Sequence, residues 1–250
     1  MHTLAQKVQF YRDVAIQNGS IKTYYNRVAS DIELLADSIY HSARIEGNTI
    51  SYADTLALLR SAIPITEAFH KYSMKETFEL SGLKTATEYM YNSVGIPLTI
   101  TFIDRMHMLL YKGVEDLSRG IYAGEIRTYP SFTRRSDNGE IKHYMEPRKI
   151  QQSLEDMVFQ YFYSNKTLSD ICLLKLDFIH IHPYGDGNGR VSRLLLNWAL
   201  MSNGYPPIII KEQDRARYIQ TLNIYGDTGN DLPFIDLVSE YLLEIYKEIL

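Results

Sequence analysis

The sequence predicts a mainly α-helical protein. Apolar residues recur at intervals of three and four, the spacing of one helix face, in the segments 150–162, 171–181 and 234–249. No internal repeat or low-complexity tract interrupts the chain. Further helices are predicted at about 3–17, 29–46, 66–92, 100–112, 189–203 and 212–225.

One segment departs from this helical pattern. It reads YPSFTRRSDNGEIKHYMEP, from Tyr129 to Pro147, and it holds Asn138-Gly139 between two polar, partly β-branched runs. Asn-Gly is the strongest short signal for the tight turn of a β-hairpin. We therefore expect a small β-hairpin on a helical scaffold, with a solvated surface loop as the alternative.

Length and composition indicate a globular chain with a large core. The 250 residues are 45% hydrophobic and 22% charged, and the formal net charge is −4. This charge favours neither nucleic acid nor an anionic membrane as a partner. The single cysteine, Cys172, excludes an intrachain disulfide and a cysteine-ligated zinc site, and its apolar neighbours predict a position in the core.

The chain is expected to form two regions that pack as one globular unit. The stretch SVGIPLT, around residue 95, is the best candidate boundary, so the regions are an N-terminal helical part at 1–95 and a core at 96–250. The first residues, MHTLAQKVQFYRDVAIQNG, contain no long apolar run, so neither a signal peptide nor a membrane span is expected. The cytoplasm is the expected compartment.

The residues with the strongest chemical character form the signature stretch HPYGDGNGRVSR, His182–Arg193. It is not a Walker A loop, because Arg190-Val191 follows its last glycine where a Lys-Ser/Thr pair is needed. A dinucleotide fingerprint follows a strand, whereas the run before this stretch has a helical period. An EF-hand loop starting at Asp186 would need a glycine at its sixth position and a carboxylate at its twelfth, and it has neither.

Local physical rules indicate an anion site in the signature stretch. His182 precedes Pro183, so the preceding helix is expected to stop there, and the next helix to begin near Asn188, a suitable N-cap. Arg190 and Arg193 would then share one face of the first turn, where the helix dipole disfavours cations. Glycine amides and two arginines at such a helix start suit a phosphate.

The same stretch supplies the other groups that polyphosphate chemistry needs. Asp186 is a hard oxygen ligand, and Mg²⁺ is usually held by one or two carboxylates together with substrate phosphates. His182 can act as the general base toward an attacking hydroxyl. We therefore interpret the stretch as a polyphosphate site with its own base and metal ligand. The alternative is a surface loop with a capped helix and two solvated arginines.

At these residues the sequence resembles the Fic family. The family signature reads His-Pro-Phe-x-Asp/Glu-Gly-Asn-Gly-Arg-x-x-Arg, and every fixed position matches except the phenylalanine, which is Tyr184 here. The resemblance extends from about residue 30 to about residue 245. GEIRT, from Gly124 to Thr128, resembles the family's Gly-x-x-Arg segment, and the hairpin resembles its substrate-docking flap. NGYPPIIIKEQ, from Asn203 to Gln213, resembles the segment after its motif helix.

This resemblance implies a Fic-type helical bundle that transfers AMP from Mg·ATP to a Ser, Thr or Tyr hydroxyl of a target protein and releases pyrophosphate. His182 would deprotonate the hydroxyl, and Asp186 would hold Mg²⁺. The residues implied to bind ATP are Gly187, Asn188 and Gly189 as an anion hole, Arg190 and Arg193 at the phosphates, and Tyr218 and Tyr225 near the adenine, with Gly226 close to where some relatives carry asparagine.

The resemblance also implies how the target is held. The flap would bind the target chain by strand addition, which sets register without much side-chain specificity. The residues assigned to this flap are Thr128, Thr133, Asn138 and Gly139. A protein target is therefore the expected partner, while self-modification and a homodimer stay open.

A second resemblance concerns the stretch HSARIEGNTI. The predicted helix at 29–46 precedes Gly47, which suits a helix end. Ser42-x-x-x-Glu46-Gly47 resembles the family's inhibitory motif, in which the glutamate pairs with the second arginine of the signature, here Arg193. The resemblance thus implies a chain that inhibits itself. Taken alone, Glu46 would be an ordinary exposed glutamate.

Two other functions stay open at this point. The same fold would also allow removal of AMP from a protein, or transfer of another phosphate-bearing group. The helical body could instead be a non-catalytic interaction module.

Overall fold

The computed structural model describes residues 3–61, 65–135 and 139–250. The prediction of a mainly α-helical chain with a small β-hairpin is confirmed. Two 3₁₀ turns lie at Leu117–Arg119 and Glu212–Asp214. The elements are α1 (Leu4–Gln17), α2 (Ser20–Ser30), α3 (Ile32–Ile45), α4 (Tyr52–Leu59), α5 (Ile65–Ala68), α6 (Met74–Asn92), α7 (Ile100–Tyr111), β1 (Phe132–Arg134), β2 (Ile141–His143), α8 (Pro147–Tyr163), α9 (Leu168–Ile181), α10 (Asn188–Ser202), α11 (Arg215–Thr228) and α12 (Leu232–Ile249).

Where the helices differ from prediction, the causes are local. The single helix predicted at 66–92 is wrong, because α5 ends at Ala68 and α6 begins after Ser73. The Ser73 hydroxyl accepts a hydrogen bond from the Glu76 N–H, and the Glu76 carboxylate accepts one from the Ser73 N–H, a capping box that starts a new helix. The apolar pattern does not predict α2 and α4, which are short and bury only Ile21 and Val28, and Thr55 and Leu59, respectively.

Helix α10 runs through the centre of the fold. Its side chains from Arg190 to Met201 are all buried, and α3, α6, α7 and α9 pack around it. A helix that is buried on every side is held in position by close-packed neighbours. Because α10 begins inside the signature stretch, the fold fixes the second half of that stretch on a buried element.

Helices α6 and α7 approach so closely that their contact requires a glycine. A Cβ on Gly82 would lie 2.2 Å from the carbonyl oxygen of Leu110. This neighbour is helix backbone, so it cannot move aside as a side chain would. The contact joins helices on either side of residue 95, and the division into 1–95 and 96–250 stays a prediction.

The hairpin has the predicted antiparallel form. Strands β1 and β2 pair with Thr133 opposite Lys142. Gly139 has a φ of 72°, the left-handed region that the predicted turn requires of its glycine. Asn138, the other residue of that turn, lies outside the described residues.

Two further expectations concern burial and length. Cys172 is fully buried, as predicted for a core cysteine. Within residues 3–61, 65–135 and 139–250, the helices are all too short or too polar to cross a membrane.

Candidate active site

A cleft of about 490 Å³ opens between the hairpin, α9, α11 and the start of α10. The signature residues on its wall are His182, Gly185, Asp186, Gly187, Asn188, Gly189 and Arg193. The residues predicted from other parts of the chain that also line it are Glu46, Thr133, Tyr218 and Tyr225. The predicted residues that the structure describes away from the wall are Ser42, Gly47, Thr128, Gly139 and Arg190.

His182 ends α9 in a strained backbone conformation. Its φ and ψ are 54° and 59°, the left-handed region that residues other than glycine rarely adopt. Its N–H still donates to the carbonyl oxygen of Phe178 at 3.0 Å, and Pro183 disfavours the right-handed helical conformation at His182. Strain of about 1–3 kcal/mol of this kind persists only where the surroundings hold it, and it clusters at functional sites.

The imidazole of His182 is enclosed and neutral. It stacks on the ring of Tyr144 from the hairpin, with centroids 3.6 Å apart and planes 9° apart. Burial, together with the Arg127 cation, lowers the pKa of His182 to about 3. A neutral imidazole is the form that a general base requires.

Arg127 joins His182 to both ends of the hairpin. Its Nε donates to the carbonyl oxygen of His182 at 2.8 Å. Its Nη1 donates to the carbonyl oxygen of Tyr129 at 2.7 Å, and its Nη2 donates to that of Met145 at 2.6 Å. Its backbone N–H donates to the Pro183 carbonyl at 2.9 Å. The GEIRT resemblance marks this arginine, but no local pattern in the sequence indicates these contacts.

The carboxylate of Asp186 is ionised and lies at the cleft. The Gly187 N–H donates to Oδ1 at 2.6 Å and the Tyr111 hydroxyl donates to Oδ2 at 3.2 Å. The Arg190 Nη2 atom lies 3.4 Å from Oδ1. Burial alone would raise the pKa of Asp186, but the Arg190 cation and these hydrogen bonds outweigh burial and lower the pKa.

Asp186 fits a Mg²⁺ ion that is shared with a substrate. The described residues include no group of three or more His, Cys, Asp or Glu side chains that could hold a metal by themselves. Mg²⁺ accepts one or two carboxylates and completes its octahedral shell with water and substrate phosphates. A single ionised carboxylate at the cleft meets that need.

A second histidine, His107 on α7, supports the signature loop. Its Nδ1 accepts a hydrogen bond from the Gly124 N–H at 2.8 Å, and its Nε2 donates to the carbonyl oxygen of Asp186 at 3.0 Å. Its ring stacks on Tyr184 with centroids 3.8 Å apart. Burial lowers the pKa of His107 to about 4, so the ring is neutral. A lone histidine inside a predicted helix carries no signal by which the sequence could indicate this contact.

The start of α10 differs from the prediction. Gly187 is the N-cap, with a φ of 77°, and Asn188 is the first helical residue, so the prediction of Asn188 as the N-cap is wrong. The Asn188 amide instead closes the loop, since Oδ1 accepts from the Tyr184 N–H at 2.9 Å and Nδ2 donates to the Tyr184 carbonyl at 2.8 Å. The buried backbone of Tyr184 needs these partners. Arg193 consequently lies in the second turn, not the first.

The cations of α10 already face carboxylates of the chain. Arg190 is buried and lies 3.5 Å from Glu79 and 3.4 Å from Asp186. Arg193 lies 2.8 Å from Glu46. Arg190, in the first turn of α10, opposes the positive end of the helix dipole, and the carboxylates of Glu79 and Asp186 balance its charge.

The end of α3 holds Arg193 at three points. Besides the contact between Nη1 and Oε1 of Glu46, Nε donates to the Ser42 hydroxyl at 3.0 Å and Nη2 donates to the Ser42 carbonyl at 2.8 Å. Burial alone would lower the pKa of Arg193, but Glu46 and Tyr218 outweigh burial and raise the pKa. Ser42 and Glu46, which the resemblance links, thus meet on one guanidinium.

The backbone at the end of α3 places Glu46 at the cleft. The helix ends at Ile45, Glu46 is its C-cap, and Gly47 follows with a φ of 94°, which confirms the predicted helix end. The Nε of Arg215 donates to the carbonyl oxygen of Ile45 at 2.7 Å and satisfies one of the open carbonyls of the last turn. Because Arg215 starts α11, this bond ties α3 to α11.

Helix α11 supplies the two predicted tyrosines. The ammonium of Lys175 lies 4.6 Å from the ring centroid of the buried Tyr218. Burial raises the pKa of Tyr218, but the cations of Lys175 and Arg193 lower it, and the net change is a decrease. The Tyr225 hydroxyl donates to the Asp177 carboxylate. Both tyrosines line the cleft, and they lie two helical turns apart on α11.

Known proteins identify the class to which this fold and site belong. Residues 97–200 match the Fic/DOC family. Relatives named protein adenylyltransferase Fic include one from Drosophila willistoni, 33% identical over 83% of this chain and 41% of its own length. Another, from Aedes aegypti, is 28% identical over 86% of this chain and 42% of its own length. Residues 97–200 thus belong to the Fic/DOC family, and the chain spans less than half the length of these relatives.

Solved structures of Fic proteins share the fold. A Fic-domain-containing signaling protein from Bacteroides thetaiotaomicron aligns with a TM-score of 0.79 and 23% identity, over 98% of this chain and 94% of that one. Fic-1 from C. elegans aligns with a TM-score of 0.75 and 24% identity, over 98% and 70%. IbpAFic2 covalently tethered to Cdc42 aligns with a TM-score of 0.51 and 18% identity, over 92% and 69%. The expected Fic-type helical bundle is confirmed.

Proposed function

We propose that the chain is an autoinhibited protein adenylyltransferase, which transfers AMP from Mg·ATP to a Ser, Thr or Tyr hydroxyl of a target protein. One observation carries the proposal. A single loop presents the neutral imidazole of His182, the ionised carboxylate of Asp186 and the first amides of α10 to one cleft. The names of the curated relatives support this activity.

Each group has a distinct task in the proposed reaction. The target oxygen attacks the α-phosphorus, the bond from this phosphorus to the bridging oxygen breaks, and pyrophosphate leaves with the electron pair. His182 takes the proton of the hydroxyl. The N–H groups of Asn188 and Gly189, at the positive end of α10, stabilise the charge on the α-phosphate oxygens, while the Gly187 N–H donates to the Asp186 carboxylate. Asp186 would hold Mg²⁺, which would neutralise part of the charge on the phosphates.

Arg193 is the proposed partner of the terminal phosphates, and Glu46 is proposed to withhold it. The Glu46 carboxylate occupies Nη1 of Arg193, and its Oε1 lies 2.3 Å from where a Cβ on Gly189 would be. It therefore fills the space directly in front of the helix start. A phosphate entering there would meet an occupied guanidinium and a like charge. Arg190 lies away from the cleft wall, and it is proposed to act on the site through its contact with the Asp186 carboxylate.

The hairpin is proposed to hold the target chain. Strand β1 is exposed along its whole length, and β2 is its one strand partner in the described part of the chain. Such an edge can accept a further strand through backbone hydrogen bonds. Thr133 lies in β1, and Thr128 and Gly139 flank the two strands. That IbpAFic2, a protein of the same fold, has been tethered to Cdc42 supports a protein substrate.

The adenine is proposed to lie along α11, beside Tyr218 and Tyr225. Self-modification, a homodimer and a cytoplasmic location stay predictions. Light scattering of the purified chain measures the oligomeric state, and label on the chain itself reports self-modification.

ATP labelled at the α-phosphate and ATP labelled at the γ-phosphate test the proposed reaction. The Glu46→Gly variant is incubated with each nucleotide and a cell lysate, and mass spectrometry follows modified proteins. Transfer of AMP requires label from the α-phosphate alone and a mass gain of AMP. Loss of AMP from a modified protein would identify removal instead. If proteins neither gain nor lose AMP and the chain binds no nucleotide, the chain is a non-catalytic interaction module.

A further inference from the structure

The second strand of the hairpin turns one face into the cleft. Side chains alternate between the two faces of a strand, so Lys142 and Tyr144, two positions apart, share a face. Tyr144 stacks on His182, and Lys142 also lines the cleft, whereas Ile141 and His143 are exposed. The hairpin is therefore part of the cleft wall as well as a candidate docking edge.

Lys142 reaches across the cleft to α11. Its Nζ atom lies 2.3 Å from the place that a Cβ on Gly226 would occupy, and Nδ1 of His180 lies 3.8 Å from the same place. The absence of a side chain at Gly226 thus leaves the space that the ammonium uses. Next to it, the Arg135 guanidinium donates two hydrogen bonds to the Asp227 carboxylate and ties the hairpin to the end of α11.

The ammonium of Lys142 is partly desolvated and has no acceptor among the described residues. No hydrogen bond or ion pair joins its Nζ atom to another residue of the described chain. Burial lowers the pKa of Lys142, and the Arg135 cation acts in the same direction, while Asp227 opposes them. A lysine has three donors and no acceptor, so a partly buried one without a partner is suited to a ligand that presents an acceptor.

The position of this ammonium indicates which part of a nucleotide it meets. Leu222 precedes Gly226 by four residues on α11, so the two lie on the same helix face. Leu222, Ile219 and Ile179 form an apolar section of the cleft wall. The glycine amides and Arg193 belong instead to the start of α10. Apolar walls suit the flat faces of a base, and the start of α10 suits phosphates.

We propose that Lys142 is a nucleotide-binding residue contributed by the hairpin, whose ammonium donates a hydrogen bond to an acceptor atom on the edge of the bound base. This inference rests on the proposed function, because it requires a nucleotide in the cleft. It gives β2 a second task beside target docking. Nucleotide binding then steadies the hairpin before a target chain pairs with β1.

Calorimetric titration with ATP and with inorganic tripolyphosphate, both with Mg²⁺, tests the assignment. Lys142→Met keeps most of the side chain without its charge, and Lys149→Met, on an exposed lysine, is the matched control. We expect Lys142→Met to weaken ATP binding about tenfold, the effect of losing one hydrogen bond from a charged donor. Its affinity for tripolyphosphate, which has no base, should not change, and Lys149→Met should alter neither.

Two outcomes separate this assignment from the proposed function. Unchanged ATP binding by Lys142→Met, or equal weakening of ATP and tripolyphosphate, would overturn the assignment alone. Failure of both the wild-type chain and the Glu46→Gly variant to bind either ligand would overturn the proposed function and this inference with it.

Gly226→Ala provides an independent variant. The new Cβ would displace the flexible end of Lys142, and alanine is a better helix former than glycine within α11. We expect a higher Tm together with ATP binding weakened by a factor similar to that of Lys142→Met. The double variant should lose no more affinity than either single one. A Gly226→Ala chain that binds ATP as wild type does would show that the position beside Gly226 is not used by the nucleotide.

Discussion

Oε1 of Glu46 lies 2.8 Å from Nη1 of Arg193, where the end of α3 meets the second turn of α10. The arginine side chain is 9% exposed and that of the glutamate 38%, so the cation lies on the inner side of the pair. An incoming anion therefore meets the carboxylate first and reaches the guanidinium only by displacing it. The contact uses one oxygen and one nitrogen, which leaves it easier to exchange than a bidentate pair.

Glu46→Gly is expected to raise AMP transfer, including transfer onto the chain itself. Loss of the carboxylate frees Nη1 of Arg193 and removes a charge that repels the nucleotide. Glu46→Asp should raise activity less, because its shorter side chain still carries the charge. Initial rates with labelled ATP at saturating Mg·ATP measure the effect. If Glu46→Gly is no more active than wild type, Glu46 is an ordinary surface residue.

The double variant Glu46→Gly with Arg193→Ala is the control for this prediction. It should be inactive, since the proposed reaction needs the arginine once ATP is bound. A double variant as active as Glu46→Gly would remove Arg193 from the nucleotide site.

His182→Ala, made in the Glu46→Gly background, should lower the rate of transfer by about 10²–10⁴, the usual effect of losing a general base. ATP affinity should change little, because the base acts on the hydroxyl and not on the phosphates. Rate measurements and calorimetry together separate the two effects. An unchanged rate would exclude His182 from the reaction.

The folded chain should lose stability as pH falls below about 6.5, in part through His182. Its pKa is about 3 in the fold and about 6.5 in an unfolded chain, so between these values only the unfolded state takes up the proton. His182→Ala should therefore flatten the dependence of the unfolding free energy on pH in this window. Denaturation at pH 7, 6, 5 and 4 measures it, with the exposed His70→Ala as control. Equal slopes for all three chains would contradict a partly buried imidazole that stays neutral in the fold.

Asp186→Ala should remove most of the dependence of ATP binding on Mg²⁺. The carboxylate is the proposed protein ligand of the ion, and without it the ion is held by phosphates and water alone. ATP titrations with Mg²⁺ and with a chelator give the two affinities for each chain. Added Mg²⁺ should restore only part of the loss. A variant that gains as much affinity from Mg²⁺ as wild type does would place the ion elsewhere.

Gly82→Ala should destabilise the fold although alanine favours helices. Its Cβ would lie 2.2 Å from the Leu110 carbonyl oxygen, and forcing α6 and α7 apart costs about 1–3 kcal/mol, more than the gain of up to about 1 kcal/mol in helix propensity. Thermal unfolding measures the change. Gly226→Ala is the matched comparison, because the close contacts of its Cβ, under 3.4 Å, are all with the flexible end of a lysine. A Tm for Gly82→Ala at or above that of wild type would show that the helices can separate without cost.

Sequence reasoning succeeded where the signal is local. Apolar periodicity located α8, α9 and α12, and Asn138-Gly139 located the hairpin. It failed at 66–92, where the Ser73 capping box starts a new helix inside an otherwise continuous pattern. It also failed at Asn188, whose side-chain amide bonds the backbone of Tyr184 and does not cap the start of α10. The same side chain suits a helix cap and a loop closure, so the residue type alone does not distinguish them.

What the sequence by itself determined was therefore the mainly helical class, the hairpin, and a glycine-rich stretch that carries a base, a carboxylate and two cations. The tertiary structure alone decided which distant side chains meet this stretch. Arg127 holds the carbonyl of His182, and His107 holds that of Asp186. The resemblance to the Fic family implies a pair between Glu46 and Arg193, but only the packing of α3 against α10 brings the two side chains together. These partners depend on how helices pack around α10, and no spacing along the chain encodes that packing.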